Sequence, residues 1–256
     1  MSIQANWVAY KTIVRKEVRR FIRIWPQTIL PPAVTTGLYF LIFGALIGRR
    51  IGDMGGFSYM EFVAPGLIMM TIITNSYSNV ASSFFSAKFQ NSVEELLVSP
   101  MPNWVILAGW VTGGVARGLC VAAVVTVLTL FFTDIHVQHV GLTVIVILST
   151  AILFATAGFI NAVYARTFDD VSIIPTFVLT PLTYLGGIFY SITLLSEFWQ
   201  SVSHANPIFY MVNAFRFGVL GESDVSPYIA LSITAGATLV LILAALKMLN
   251  GSRMRS

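Results

Sequence analysis

Three groupings in this sequence have residue types and spacings that bear on chemistry. Asp134, His136 and His139 fall within six residues, a set that holds a transition metal when a further ligand converges on it. The sequence offers no such ligand nearby, so no metal site is assigned. Arg117 stands alone inside a long apolar run, within "GWVTGGVARG". In "KFQNSVEELLVSP", residues 88–100, Ser92 and Glu95 have the S-x-x-E spacing of a capping box, in which side chains satisfy free amide donors at a helix start. Val93, Leu96 and Leu97 then share one face, Glu94 and Glu95 point elsewhere, and Ser99, Pro100 and Pro102 end the element. There is no G-x-x-x-x-G-K-[ST] loop, H-E-x-x-H helix or G-x-S-x-G elbow. The chain therefore lacks the usual phosphate cradle for a nucleotide, and nothing in it reads as an enzyme active site.

The elements that position these groups are written in the composition. Only 10% of residues are charged and 56% are hydrophobic, with a mean hydropathy of +0.81, against roughly 25% charged in soluble domains. The expectation is an all-α integral membrane protein forming a single domain over 1–256. Apolar stretches long enough to cross a bilayer, about 20 residues each, are read at 27–47, 62–86, 104–132, 140–164, 171–190 and 228–248. The first of these would direct insertion, and no cleaved signal peptide is read. Cys120 is the sole cysteine and lies in a span, so no intrachain disulfide is possible.

Lys and Arg collect on the cytoplasmic side of a membrane. Lys11, Arg15, Lys16, Arg19, Arg20, Arg23, Lys88, Arg166, Lys247, Arg253 and Arg255 fall on one side of this topology, and Arg49, Arg50 and Arg216 on the other. Both termini are expected in the cytoplasm. The net charge of +4 reflects this distribution and is not read as a nucleic-acid footprint.

Within residues 1–25, Trp7, Tyr10, Val14, Val18, Phe21 and Trp25 recur at helical steps between the cations. That pattern suits a helix lying in the interface, or a polybasic anchor that only fixes topology. Thr71, Asn75, Ser78, Ser82 and Ser86 form a polar stripe on the second span. Such a stripe either lines a pathway or makes hydrogen-bonded helix contacts. Gly109 with Gly113, and Gly114 with Gly118, are small-xxx-small pairs that let another helix come close. Among them Arg117 has to face protein or a wet cavity, as a substrate or gating contact or as a structural anchor. Pro175, Pro181, Gly186 and Gly187 interrupt the fifth span, and 191–224, punctuated at Asn206–Pro207, reads as a re-entrant or interfacial helical hairpin on the outer side. The 88–102 loop, acidic where a topology anchor would be basic, fits a docking helix for a soluble partner or an interfacial connector.

Six spans, the basic N-terminal helix, "VAPGL" opening span two, "EELLVSPMPNW" after it and "ANPIFYMVNAFR" before the last span resemble the type-2 ATP-binding-cassette exporter permeases. The likeness runs over nearly the whole chain. It implies a bacterial inner-membrane permease that pairs with a second permease copy, each resting on a separate nucleotide-binding ATPase subunit that holds ATP and Mg. No cofactor is expected on this chain. It also implies that Ser92 to Ser99 is a coupling helix, with Ser92, Val93, Glu94, Glu95, Leu96 and Leu97 at the docking site. A secondary transporter is the main alternative, although no clear repeat is seen and only one arginine lies inside a span. A non-transporting membrane scaffold is the other.

Overall fold

Ser2 starts the first helix: its Oγ accepts the Ala5 amide, and α1 (Ile3–Arg23) follows. The computed structural model describes residues 2–48, 54 and 56–251. Arg49, Arg50, Arg253 and Arg255, used above for orientation, lie outside it.

Prolines set the next bends. Pro26 opens α2 (Trp25–Thr28) and Pro31 and Pro32 open α3 (Leu30–Tyr39), first-turn positions where a missing N–H removes no helical hydrogen bond. The helix then widens to an i→i+5 pattern over Phe40–Gly48. The stretch expected as the first span is thus interrupted and not one regular helix.

Ser58 and Glu61 form a complete capping box at the start of α4 (Tyr59–Phe89), whose 31 residues run about 46 Å. Pro65 sits in its second turn without ending it. Gly66 beside it has a packing reason: a Cβ there would lie 2.8 Å from the Ile188 carbonyl oxygen of the strap after α9. A short helix, α5 (Ser92–Val98), connects α4 to α6 (Asn103–Thr129), and α7 (Val140–Tyr164) follows. Then α8 (Phe168–Ile174), a wide turn at Pro175–Leu179 and α9 (Thr180–Tyr184) continue one from another. Gly187, at φ +72°, lets the chain reverse after α9. A 3₁₀ turn (Ile192–Leu194), α10 (Glu197–His204), α11 (Pro207–Leu220) and α12 (Pro227–Asn250) complete the described chain.

Among the described residues α6, α7 and α12 are long and apolar enough to cross a membrane. α4 has the length, but Asn75, Asn79 and its serines dilute its hydropathy. Proline-broken segments stand where the first and fifth spans were expected.

The core forms around α4, enclosed by α6, α7 and α11. The glycine pairs of α6 decide how. Cβ atoms at Gly109 and Gly113 would lie 2.6 Å from Ile13 Cγ2 and 2.5 Å from Glu17 Cβ, so this edge of α6 receives α1. A Cβ at Gly114 would lie 2.5 Å from Val80 Cγ2, and one at Gly118 would land on Ser76 Oγ, so the other edge receives α4. The paired glycines do admit close neighbours, a different helix for each pair. At one end, which carries α5, Phe84, Trp110 and Phe159 pack as an aromatic core. At the far end Asn206 binds the turn between α10 and α11: its Oδ1 accepts from Ile208 N at 3.0 Å, and its Nδ2 donates to the Leu182 carbonyl at 2.6 Å.

Candidate functional site

The polar helix α5 forms by other means than its sequence spacing promises. Its N-cap is Asn91, in the left-handed region at φ 58°, with no side-chain capping bond. Ser92 is already inside the helix, and its Oγ donates to the Ala87 carbonyl at 2.9 Å. The S-x-x-E pair is therefore not a capping box; the hydroxyl ties α5 back to α4. Val93 is buried, Leu96 and Leu97 are partly buried on the aromatic core, and Glu94 and Glu95 face solvent. Val98, which the helical face argument passed over, is 86% exposed.

The next corner is joined to this one. Lys88 Nζ donates to the carbonyls of Val163 and Ala165, at 2.7 and 2.9 Å, at the end of α7. Burial, with the nearby Arg166 charge, pushes its ammonium below the ordinary lysine range. The Phe168 ring meets Phe85 edge-on at 4.9 Å and Phe89 at 5.3 Å. α8 has the capping box that α5 lacks: Asp170 N donates to Thr167 Oγ1, while Asp170 Oδ2 accepts the Arg166 and Thr167 amides at 2.8 and 3.0 Å. Those amides hold the Asp170 carboxyl below its usual value of 3.8. On these two corners Phe89, Val98 and Phe168 are exposed, as are Glu94, Glu95 and Asp169.

Along α4 the single polar stripe resolves into two lines, each at steps of four. Thr71, Asn75, Asn79 and Ser83 make the inner line, none more than 5% exposed. Met70, Thr74, Ser78, Ser82 and Ser86 make the outer line, each partly exposed. Thr71 and Asn75 therefore separate from Ser78, Ser82 and Ser86. On the outer line Thr74 donates to the Met70 carbonyl at 2.9 Å and Ser82 to the Ser78 carbonyl at 2.7 Å. These two hydroxyls are satisfied within their own helix and need no further protein partner. Its upper end borders a cavity of about 270 Å³ shared with Pro32, Thr35 and Tyr39.

The inner line gathers charge. Arg117 Nη2 donates to Asn75 Oδ1 at 3.3 Å, so the arginine in the long apolar helix α6 is held by an amide from α4. One step along, Arg20 of α1 donates through Nη2 to Asn79 Oδ1 at 2.8 Å and to the Asn79 carbonyl at 3.0 Å. One step further, Ser83 Oγ donates to Glu17 Oε1 at 2.6 Å. Glu17 is fully buried and its Oε2 lies 3.4 Å from Arg20 Nε. Sequence reasoning missed Glu17. The available signal was a lone acid, three residues before Arg20, among the cations of 11–23. The helix expected to turn Trp7, Tyr10, Val14, Val18, Phe21 and Trp25 together onto one surface instead buries Ile13, Glu17 and Phe21 against protein. Trp7 and Trp25 remain about half exposed, at 54% and 55%.

The remaining polar residues stay apart from these surfaces. His139 precedes α7 and stacks on Phe217 at 5.0 Å, while Asp134 and His136 are exposed. Among the described residues no grouping of His, Cys, Asp and Glu could hold a metal ion.

The chain is 59% identical to the inner membrane transport permease YadH of Escherichia coli K12 over 238 residues, covering 93% of this chain and 91% of that one. It is also similar to Nodulation protein J of Rhizobium meliloti, 23% identical over 91% of this chain and 86% of that one. Nodulation protein J of Neorhizobium galegae is 22% identical over 85% and 82% of the two chains. The sequence pattern of one family, described as ABC-2 type transporter, matches residues 8–220 and so takes in most of α1, both lines of α4, α5 and α11. On that match and the near-full-length likeness to a transport permease, the chain belongs to the ABC-2 type transporter family.

Proposed function

We propose that this chain is the permease subunit of an ATP-binding-cassette exporter of a bacterial inner membrane. Two copies form the pathway, and each rests on a separate nucleotide-binding ATPase subunit that carries ATP and Mg. The chain crosses the membrane six times, through α3 with its widened end, α4, α6, α7, the α8–α9 run and α12. Both termini and α5 face the cytoplasm, and α10 and α11 dip in and out of the outer leaflet. The outer line of α4, with Ser78, Ser82 and Ser86, contributes to the pathway. Thr71 and Asn75, the other two stripe residues, support it from behind.

One observation carries this reading: α5 is braced from within by Ser92 and Val93 and turns Glu94, Glu95 and Val98 outward. A connector has no need of such an outer face. An acidic face with an apolar tip suits a basic, apolar-floored groove on a soluble subunit. Ser92 ties α5 to the end of α4, from which Lys88 and the Phe85–Phe168 contact reach the ends of α7 and α8, a route by which movement of α5 would travel. The test is purification of the chain from its native host in mild detergent, with co-purifying proteins identified by mass spectrometry. A phosphate-loop ATPase should accompany the wild type and be lost from the Glu94→Lys, Glu95→Lys double variant, which still inserts and pairs. Normal ATP-dependent transport by that variant would sink the coupling role. Gradient-driven transport without an ATPase would sink the exporter reading.

A further inference from the structure

At the end of the bundle away from α5, a cavity of about 830 Å³ opens between the start of α4, the strap after α9 and the loop joining α11 to α12. Arg216, on its wall, is only 2% exposed. Its Nη2 donates to the Gly187 carbonyl at 2.7 Å, and its guanidinium carbon lies 3.9 Å from the centre of the Phe62 ring. Among the described residues Nε and Nη1 have no hydrogen-bond acceptor. Burying a cation with unmet donors is costly, and a position kept only for packing would be served by an apolar residue.

The same cavity carries the opposite charge at its rim. Asp224 and Glu222 are exposed there, and Ser191 Oγ donates to Asp224 Oδ1 at 2.9 Å. Among the described residues positive charge is therefore deep and negative charge shallow. A simple anion has to pass the two carboxylates, and a simple cation is opposed by the guanidinium. A ligand that carries an anionic group ahead of an amine satisfies both. Guanidinium donors suit the oxygens of a phosphoryl group in particular.

We propose that this cavity binds a phosphoryl–ammonium zwitterion, the chemistry of phosphoethanolamine, with the phosphoryl oxygens on Arg216 and the amine between Asp224 and Glu222. The Ser191–Asp224 hydrogen bond joins the two segments bordering the guanidinium, and its exchange for ligand contacts admits the phosphoryl group to Nε and Nη1. An amino acid carries a similar pair of charges but fills little of the cavity. The apolar walls at Phe57, Phe217, Leu220 and Pro227 leave room for the glycerol and upper acyl chain of a lipid. Tyr228 and Ile229, 78% and 53% exposed, continue that apolar surface onto α12.

The experiment uses the full chain in nanodiscs, with lipid retention read by native mass spectrometry and thermal unfolding. Phosphatidylethanolamine should be retained, one per chain, at least tenfold better than phosphatidylglycerol, which has the phosphate but no amine. Asp224→Asn with Glu222→Gln should erase that preference, and Arg216→Gln should abolish retention. Displacement by millimolar phosphoethanolamine as effective as by the lipid would support the headgroup chemistry with a soluble source, whereas much weaker displacement assigns the lipid. Equal retention of both lipids by the wild type, or displacement by glycine equal to that by phosphoethanolamine, overturns the proposal. Should Arg216→Gln fail to fold, the rim variant decides, since both its side chains are exposed; an unchanged lipid preference there overturns it too.

Discussion

Ser83 of α4 donates its hydroxyl to Glu17 of α1 across 2.6 Å, inside a site where Glu17 has no exposure to solvent. With Arg20 bonded to Asn79 one turn away, the N-terminal helix is held to the central helix by charge-assisted bonds. α1 is therefore a packed part of the fold and more than a topology anchor.

Removing that carboxylate should release α1. Glu17→Ala is expected to cost about 3 kcal/mol, the lower end for breaking a buried pair because Arg20 keeps some solvent. Trypsin should then cut faster at Arg15 and Arg19 in the membrane-embedded protein. An unaltered cleavage rate would show that the ion pair does not hold the helix.

Glycine positions on α6 and α12 should respond in opposite senses. A Cβ at Gly118 would collide with Ser76, whereas one at Gly236 meets nothing within 4 Å. Gly118→Ala should lose about 1–3 kcal/mol. Gly236→Ala should be neutral or stabilising by up to about 1 kcal/mol. Thermal unfolding of the two variants compares them directly, and equal shifts would contradict the packing described.

The two lines of α4 should differ in reactivity. In a Cys120→Ser background, cysteine at Ser78, Ser82 or Ser86 should react with a small water-soluble maleimide at least tenfold faster than cysteine at Asn79 or Ser83. Uniform labelling along both lines would remove the distinction between an open line and a closed one.

Asp170 should make the corner before α8 sensitive to acid. Its carboxyl is held below the ordinary value of 3.8 mainly by the Arg166 amide. A depressed folded value means that the stabilisation is present above 3.8 and disappears as pH falls through the lower folded value. Protection of the Arg166 and Thr167 amides from hydrogen exchange, corrected for the intrinsic pH dependence of exchange, should therefore be high at pH about 6, fall as pH drops below about 4, and be low throughout in Asp170→Asn. A wild-type profile without that change would show that the carboxylate does not order the corner.

Much of this was legible because it depended on local chemistry. The spacing of Gly109, Gly113, Gly114 and Gly118 announces two close approaches, and both occur. The stop at Ser99 and Pro100 is local too, and α5 ends at Val98. What escaped depended on neighbours. Ser92 has a carbonyl of the preceding helix within reach and takes it instead of capping. Steps of three and four from Thr71 to Ser86 join residues that packing separates, because only the position of α6 and α1 tells which side of α4 is closed. Glu17 was hidden by its company: among so many cations it reads as part of a solvated face until Gly113 is seen to bring α6 against it.

The outer line of α4 keeps to steps of four, and a helix of 3.6 residues per turn advances about 40° beyond a full turn at each such step. From Met70 to Ser86 the partly exposed track consequently winds about 160° around α4 over about 24 Å. Its neighbours must wind with it wherever the track stays partly exposed, so under the proposed pathway role the opening would be a twisted slot. A stiff, elongated molecule following those side chains would have to turn like a screw as it advanced, and rotation of α4 about its axis would move the whole thread at once.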